Sequence, residues 1–332
     1  MRAVLRSILR RFMPRVASAP STIRRLHPGH PELHVATGRA DESRGLVSQI
    51  CRFGSLDSPV FRGWLSRLHE PWHAHRKPWE WAYICQALDE RGMLAPGRRG
   101  LGFAVGAEPL PSLFASMGCD VVATDLGSGD ERRTPWQQTG QWVGQREALN
   151  QRGLCDGEEF ARRVSFRPVD MNEIPDDLDA FDFTWSSCSF EHCGTLDLGL
   201  RFLERQMACL RPGGVAVHTT EFNLSSNDAT VATGPYVIYR LRDIEDIVRR
   251  LRRAGHHVEP LDVGIGDHPL DRFVDRPPFN GPAAPGHLRL ELNGFVSTSI
   301  GLIITKGRPA AGGGSIPDGS VPRLGHLARG GQ

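Results

Sequence analysis

The chain has 332 residues, enough for one large α/β domain with appended segments and a sizeable core. Hydrophobic residues make up 39% and charged residues 23%, as is typical of a soluble globular protein. The formal net charge of +2 is too small to indicate a nucleic-acid partner, and no apolar run approaches the roughly 18 residues of a membrane span.

The chain begins with a basic amphipathic segment. Residues 1–16 carry five arginines among apolar residues, but lack the apolar core and cleavage site of a secretory signal. Contact with an anionic membrane surface is one interpretation; we prefer a loosely docked terminal helix. We assign residues 1–78 to an N-terminal extension that is irregular or helical.

From residue 79 onward, helical and strand patterns alternate. Residues 79–94 have apolar side chains at helical spacing, and Pro96-Gly97 ends this helix. Buried-type strands are predicted at 100–106, 119–127, 163–171, 181–190, 215–223, 256–263 and 294–305. This order predicts an α/β fold with a Rossmann-like open sheet of about seven strands, mostly parallel, with helices on both faces and an N-terminal helical extension.

Two segments depart from the alternating pattern. Residues 128–163 are polar and rich in Trp and Gln, and we predict a helical insertion between the second and third strands. Residues 308–332 are rich in Gly and Pro and are predicted to be a disordered tail. The main domain therefore covers 79–307.

The seven cysteines are scattered, without a C-x-x-C pair. An odd number at irregular spacing argues against a disulfide framework and against a structural zinc site. We therefore expect reduced thiols and a cytoplasmic protein.

The loop after the first strand and the tip of the second strand are the strongest candidates for ligand binding. In an open α/β sheet, ligands bind at the carboxyl ends of the strands. Gly102 and Gly106 let the backbone approach a ligand, and Asp125, about 20 residues further on, is placed to accept ribose hydroxyls. The alternative for such a loop is a tight structural turn.

The type of nucleotide is indicated by Glu108. A dinucleotide fingerprint reads G-x-G-x-x-G and places a helix N-terminus at the pyrophosphate. Here the run is GFAVGAEP, in which Glu108 would set a negative charge beside that pyrophosphate. An acid is tolerable beside a sulfonium and an amino group, so the loop disfavours NAD and FAD and favours S-adenosylmethionine.

Residues 98–306 resemble the class I methyltransferases, which use S-adenosylmethionine. The matching motifs are the loop 102–108, Asp125, VDMNEIP (169–175), FDFTWSSCSFEH (181–192) and LRPGG (210–214). The resemblance implies that the carboxylate of Asp170 contacts the adenine amine and that the backbone N–H of Met171 contacts a ring nitrogen. Ala104 departs from the glycine that is usual in the class, and its methyl would push the cofactor loop slightly outward.

The chain also resembles a narrower bacterial group of these enzymes, of small-molecule or glycan type. The matching runs are GLGFAVGAEPLP, DMNEIP, HTTEFNLSSN and GFVSTSIGLII. The predicted cofactor-binding residues are Gly102, Ala104, Gly106, Glu108, Asp125, Leu126, Asp170, Met171 and Ser187.

The catalytic candidates lie at the ends of the fourth and fifth strands. Methyl transfer is an in-line displacement at an activated carbon, so the protein aligns the nucleophile and helps to remove its proton. We predict that His192 and Glu221 are the catalytic residues that perform these steps. Glu191 and His192 are equally consistent with a helix-start hydrogen-bonding pair, and His218 with a core histidine. A divalent metal on His192, His218 and Glu221 is conceivable, but the spacing matches no metal motif and we predict none.

Four further residues are candidates for substrate binding. Arg76 is suited to the cofactor's carboxylate or to an acidic substrate, and Asn223 lies just beyond the fifth strand. Trp136 and Trp142 lie in the insertion, where a lid or acceptor pocket is expected, although inserted aromatic residues also serve as core.

The sequence thus predicts an enzyme that moves a methyl group from S-adenosylmethionine to a small molecule or a glycan. The alternative is an S-adenosylmethionine-binding protein without transferase activity, acting as partner or regulator of another enzyme. A nicotinamide oxidoreductase is disfavoured by Glu108 and by the missing third glycine. No basic stripe, RNA-binding module or zinc cluster supports nucleic acid as the acceptor.

Overall fold

A computed structural model describes residues 45–279 and 284–307, so the basic segment 1–16 and the tail 308–332 lie outside the described residues. The helices of the described ranges are α1 (Phe53–Leu56), α2 (Pro59–Arg67), α3 (Arg76–Asp89), α4 (Leu110–Ser116), α5 (Thr134–Gln138), α6 (Gly157–Arg163), α7 (Leu196–Arg205), α8 (Leu241–Arg253) and α9 (Pro269–Arg272). The strands are β1 (Ser48–Ile50), β2 (Arg99–Gly102), β3 (Asp120–Asp125), β4 (Val164–Pro168), β5 (Phe181–Ser187), β6 (Leu210–Asn223), β7 (His257–Val258), β8 (Leu261–Asp262), β9 (Val274–Asp275), β10 (Arg289–Leu292) and β11 (Phe295–Thr305).

The strands form one open sheet in the order β4-β3-β2-β5-β6-β11-β1-β8, to which β7, β9 and β10 are added at the side of β11. Strands β2 to β6 run parallel to one another, and β11 runs antiparallel between β6 and β1. The predicted Rossmann-like α/β fold is confirmed. The described sheet has 11 strands, more than the sequence predicts, because β1, β7, β8 and β9 have only two or three residues each.

The order of the parallel strands reverses beside β2. From β2 the chain moves outward through β3 to β4, and then crosses back to place β5 and β6 on the other side of β2. A crevice opens at such a reversal, at the carboxyl ends of the strands. The ends of β2, β3 and β5 therefore face the same crevice.

Helices pack on both faces of this sheet. One buried cluster joins α3 and α4 to β5, and includes Tyr83, Phe114, Phe183 and Trp185. The second cluster joins α7 and α8 to the opposite face, and includes Phe202, Ile247, Phe222 and Leu302. None of the helices in the described ranges has both the length and the apolar character needed to cross a membrane.

The strand predicted at 256–263 is interrupted. Its two ends form β7 and β8, because β1 occupies the place between them, antiparallel to β11 and parallel to β8. Strand β1 comes from the segment assigned by sequence to the N-terminal extension, and α3 begins at Arg76, before residue 79. The insertion 128–163 contains only short helices and turns.

Strands β2 and β5 end earlier than the sequence suggests. Strand β2 ends at Gly102 because Ala104 and Gly106 adopt positive φ angles of +47° and +52°. Strand β5 ends at Ser187 because Cys188 has φ +47°. Residues in this left-handed region cannot continue a strand.

Gly301 allows α3 to pack closely on β11. A Cβ built on Gly301 would lie 2.1 Å from Cε1 of Tyr83, whose ring is fully buried. The Tyr83 hydroxyl donates to the carbonyl of Val47 at 2.9 Å. Any movement of the Tyr83 ring would therefore break this buried hydrogen bond.

We expect Gly301→Ala to lower the free energy of unfolding by about 1–3 kcal/mol, the usual range for an overpacked core. Urea denaturation measures this change in the free energy of unfolding. Gly63→Ala in α2 is the matched control, because no atom lies within 4 Å of the new Cβ. For Gly63→Ala we expect no loss of unfolding free energy, or a gain of about 0.5–1 kcal/mol, since alanine is the better helix former. Equal losses in both variants would contradict the packing argument.

Candidate functional site

The loop between β2 and α4 is tied to the end of β3 by Asp125. One oxygen of this carboxylate accepts the N–H of Gly106 at 3.0 Å, and the other accepts the N–H of Leu126 at 2.7 Å. Burial raises the pKa of Asp125 to about 6. The carbonyl of Ala104 accepts the hydroxyl of Ser189, so the loop is also joined to the residues after β5. The predicted loop and acid therefore form one unit at the strand ends.

Gly102 and Glu108 both contact Trp185, whose side chain packs beneath this loop. A Cβ on Gly102 would lie 2.4 Å from the Trp185 ring. The indole N–H of Trp185 donates to Oε1 of Glu108 at 2.6 Å. Burial raises the pKa of Glu108 to about 8, so the carboxyl is mostly uncharged at pH 7. The structure thus gives the Glu108 carboxyl a partner within the protein, the Trp185 indole.

The raised pKa of Glu108 makes stability depend on pH. The folded state keeps this proton up to about pH 8, whereas the unfolded chain releases it near its ordinary value of 4.5. The contribution of Glu108 to stability is therefore full below pH 4.5 and is lost as the pH rises to 8.

We expect Glu108→Gln, which keeps an oxygen for the indole, to reduce the fall in unfolding free energy between pH 5 and pH 8 by a few kcal/mol. Urea denaturation at the two pH values measures this fall. The surface variant Glu158→Gln should behave as the wild type. An unchanged pH dependence in Glu108→Gln would show that this carboxyl is ionised in the folded protein.

Part of the insertion lies directly over the glycine loop. The indole N–H of Trp142 donates to the carbonyl of Leu126 at 3.0 Å. The carbonyl oxygen of Gln141 would lie 2.6 Å from a Cβ at position 106, so only glycine fits there. The backbone of the insertion therefore contacts the loop where a ligand was predicted.

The insertion also reaches the ends of β4 and β5. Arg132 forms an ion pair with Asp170 at 2.7 Å. The ring of Trp136 meets His192 edge-on, with centroids 4.9 Å apart. Met171 is buried against the second core cluster. Arg132 thus pairs with the carboxylate that the sequence assigns to the ligand, and the insertion lies over these strand ends.

A carboxylate with no solvent exposure, Glu80 of α3, lies beneath the ends of β5 and β11. Four side chains donate hydrogen bonds to it. They are Lys77 (2.6 Å), Ser187 (3.1 Å), Cys188 (3.0 Å) and Ser299. Burial alone would raise the pKa of Glu80, but the charges of Lys77 and Arg76 and these hydrogen bonds hold it below its ordinary value. Glu80 therefore stays charged, and no sequence pattern singles it out.

Arg76 joins α3 to the end of β6. Its guanidinium forms an ion pair with Glu221 and donates to the hydroxyl of Ser299 at 3.3 Å. The other oxygen of Glu221 accepts the hydroxyl of Ser297. Arg76, a predicted substrate residue, and Glu221, a predicted catalytic residue, thus form one largely buried ion pair.

Glu191 is a further acid at this site, which sequence analysis considered only as a partner of His192. Its carboxyl accepts the hydroxyl of Thr220 at 2.9 Å, and burial together with the charge of Glu221 raises its pKa to about 8. One ligand atom each of Cys188, Glu191 and Glu221 lies within 4.8 Å of the others. Arg76 already supplies a positive charge to this group, and we assign no metal to it.

The two histidines of this region differ in their surroundings. Nδ1 of His192 lies 2.7 Å from the carbonyl of Pro235, so Nδ1 carries the proton and Nε2 is left as an acceptor. Burial lowers the pKa of His192, which favours this neutral form. His218 is fully buried, lies 2.8 Å from the hydroxyl of Ser186, and has its pKa lowered to about 3 by burial. His218 is therefore a core histidine.

The side chain of Asn223 forms hydrogen bonds within the loop that follows β6. Its amide donates to the carbonyl of Ala229 and the hydroxyl of Thr230, and its oxygen accepts the N–H groups of Ser225 and Ser226. The structure thus gives Asn223 a loop-stabilising role and does not bring it to the group around Glu221 as an available side chain.

No family model and no curated protein matches this sequence. Similar folds occur among solved structures. A protein of Galdieria sulphuraria, named as a proposed sarcosine dimethylglycine methyltransferase, is 15% identical with a TM-score of 0.42, over 68% of this chain and 83% of that one. The [4+2]-cyclase SpnF is 18% identical with a TM-score of 0.39, over 65% and 76%. The phosphoethanolamine N-methyltransferase 2 of Haemonchus contortus, in complex with phosphomonomethylethanolamine and S-adenosylhomocysteine, is 17% identical with a TM-score of 0.38, over 60% and 42%. Scores this low assign neither a family nor an activity to this chain.

Proposed function

We propose that this chain transfers a methyl group from S-adenosylmethionine to a small-molecule or glycan acceptor. The observation that carries the proposal is the placement of two acids on neighbouring strands beside the glycine loop. Asp125 ends β3 and Asp170 follows β4, and the N–H of Val169 donates to the carbonyl of Asp125 at 2.8 Å. Carboxylates accept hydrogen bonds from ribose hydroxyls and from an adenine amine, so the donor set fits a nucleoside.

The proposed cofactor site keeps most of the predicted residues. They are Gly102, Ala104, Gly106, Asp125, Leu126, Asp170, Met171 and Ser187. Glu108 supports the loop from below through Trp185. On this proposal Arg132 leaves Asp170 when the nucleoside binds, because both use the same carboxylate. Arg132 is more than half exposed, so the ion pair that is broken is a weak one.

On the acceptor side of the site, we propose that His192 and Glu221 act as a pair in proton transfer. S-adenosylmethionine supplies, when bound, a methyl group on a positively charged sulfur. Nε2 of His192 then takes the proton of the acceptor's hydroxyl or amine. Burial lowers the pKa of His192, and the negative charge of Glu221 opposes part of this effect, which favours the imidazolium that forms. Arg76 fixes the position of Glu221. We place the reaction in the cytoplasm.

We expect Asp125→Ala to weaken the binding of S-adenosylhomocysteine at least tenfold, about 1.4 kcal/mol, because the variant loses the ribose acceptor and the tie to Gly106. Isothermal titration calorimetry measures the affinity. Asp120→Ala is the matched control, since Asp120 is exposed at the opposite end of the same strand.

Two results would contradict the proposal. An affinity unchanged in Asp125→Ala would place the ribose elsewhere. Tight binding of NAD, with no binding of S-adenosylmethionine or S-adenosylhomocysteine, would make the site a dinucleotide site.

A further inference from the structure

Lys77 reaches the end of β5 from the first turn of α3. Its ammonium lies 2.6 Å from Oε2 of Glu80 and 3.4 Å from the hydroxyl of Ser187. An ammonium has three donors, and these two contacts leave one for a ligand. The Lys77 side chain is 36% exposed, whereas the Glu80 side chain beneath it is 0% exposed. Lys77 is thus a fixed cation that a ligand can reach.

The neighbouring cation, Arg76, is committed to other partners. Its guanidinium is 15% exposed and is held by Glu221 and Ser299, toward β6 and β11. Lys77 contacts Ser187 at the end of β5, the strand beside β2 and its glycine loop. Its positive charge lowers the pKa of Glu108 beneath that loop, against the larger opposing effect of burial. The two adjacent cations therefore face different parts of the strand ends.

The distance across the sheet suits an amino-acid tail. The strand order places β2 between β3 and β5, so the end of β5 lies two strand spacings, about 10 Å, from Asp125. A nucleoside held by Asp125 at the end of β3 and by Asp170 after β4 would have its 5′ substituent on the side of β2 and β5. In S-adenosylmethionine that substituent ends in a carboxylate and an ammonium.

We propose that Lys77 binds the carboxylate of the cofactor's amino-acid tail, with Glu80 and the hydroxyl of Ser187 as the groups that position the lysine. The inference rests on the proposed function. Lys77 then gives the site its preference for S-adenosylmethionine over nucleosides that lack a carboxylate. A purely structural role for Lys77 would not produce this preference.

The test compares two ligands that differ only in the carboxylate, S-adenosylhomocysteine and its decarboxylated analogue, which keeps the amine. In calorimetry the wild type binds S-adenosylhomocysteine at least tenfold more tightly. Lys77→Met reduces that preference to less than threefold, by weakening S-adenosylhomocysteine alone. Lys77→Arg, which keeps the positive charge, retains most of the preference for S-adenosylhomocysteine.

The chain offers a close control, because Lys306 is its only other lysine. Lys306 donates to the carbonyl of Leu210, at the opposite end of the sheet, and Lys306→Met should leave both affinities unchanged. Since Lys77→Met leaves Glu80 short of a cation, the double variant Lys77→Met/Glu80→Gln repeats the measurement without that buried charge. The same loss of preference is expected.

The outcomes separate this inference from the function on which it rests. Equal weakening of both ligands in Lys77→Met, or no change in either, overturns the role of Lys77. A wild type that binds both ligands equally overturns it too, while the nucleoside site stands. A wild type that binds neither ligand overturns the proposed function as well.

Discussion

The buried carboxylate of Glu80 holds the candidate site together. A charge without solvent exposure is stable only when donors replace its water, and here two cations do so together with Ser187 of β5, Cys188 after it and Ser299 of β11. Arg76 and Lys77 contact different oxygens of this carboxylate. Because a buried charge is costly to leave unpaired, Glu80 fixes the position of Lys77 and, together with Glu221, that of Arg76.

The strand ends form two halves with different electrostatics. On the side of β3 and β4, Asp125 and Asp170 are acceptors, and the insertion covers them through Arg132 and Trp142. Toward β6, burial leaves one proton on Glu191 while Glu221 is paired with arginine. The first half suits a nucleoside, and the second suits the removal of a proton from an acceptor. Lys77 lies between them.

Sequence patterns predict the frame of this site well. Buried-type strands, helical periodicity and the rule that parallel strands share one ligand edge were sufficient for the sheet, the glycine loop and the position of Asp125. Three features could not be found in this way. Glu80 follows helical spacing like its neighbours, and only tertiary packing places it under β5. The orientation of Glu108 depends on the Trp185 indole, and the place of β1 in the sheet depends on long-range pairing with β11.

The claim that these halves perform methyl transfer is tested most directly with S-adenosylmethionine labelled in its methyl group. The purified protein is incubated with small-molecule and glycan fractions of an extract of the organism that encodes it. We expect label to pass into a product of one fraction while S-adenosylhomocysteine forms in equal amount, with wild type and with Asp120→Ala. With Asp125→Ala the same transfer should be much slower. A protein that binds S-adenosylhomocysteine yet leaves the label in S-adenosylmethionine with every fraction would contradict it, and would indicate a cofactor-binding protein without transferase activity.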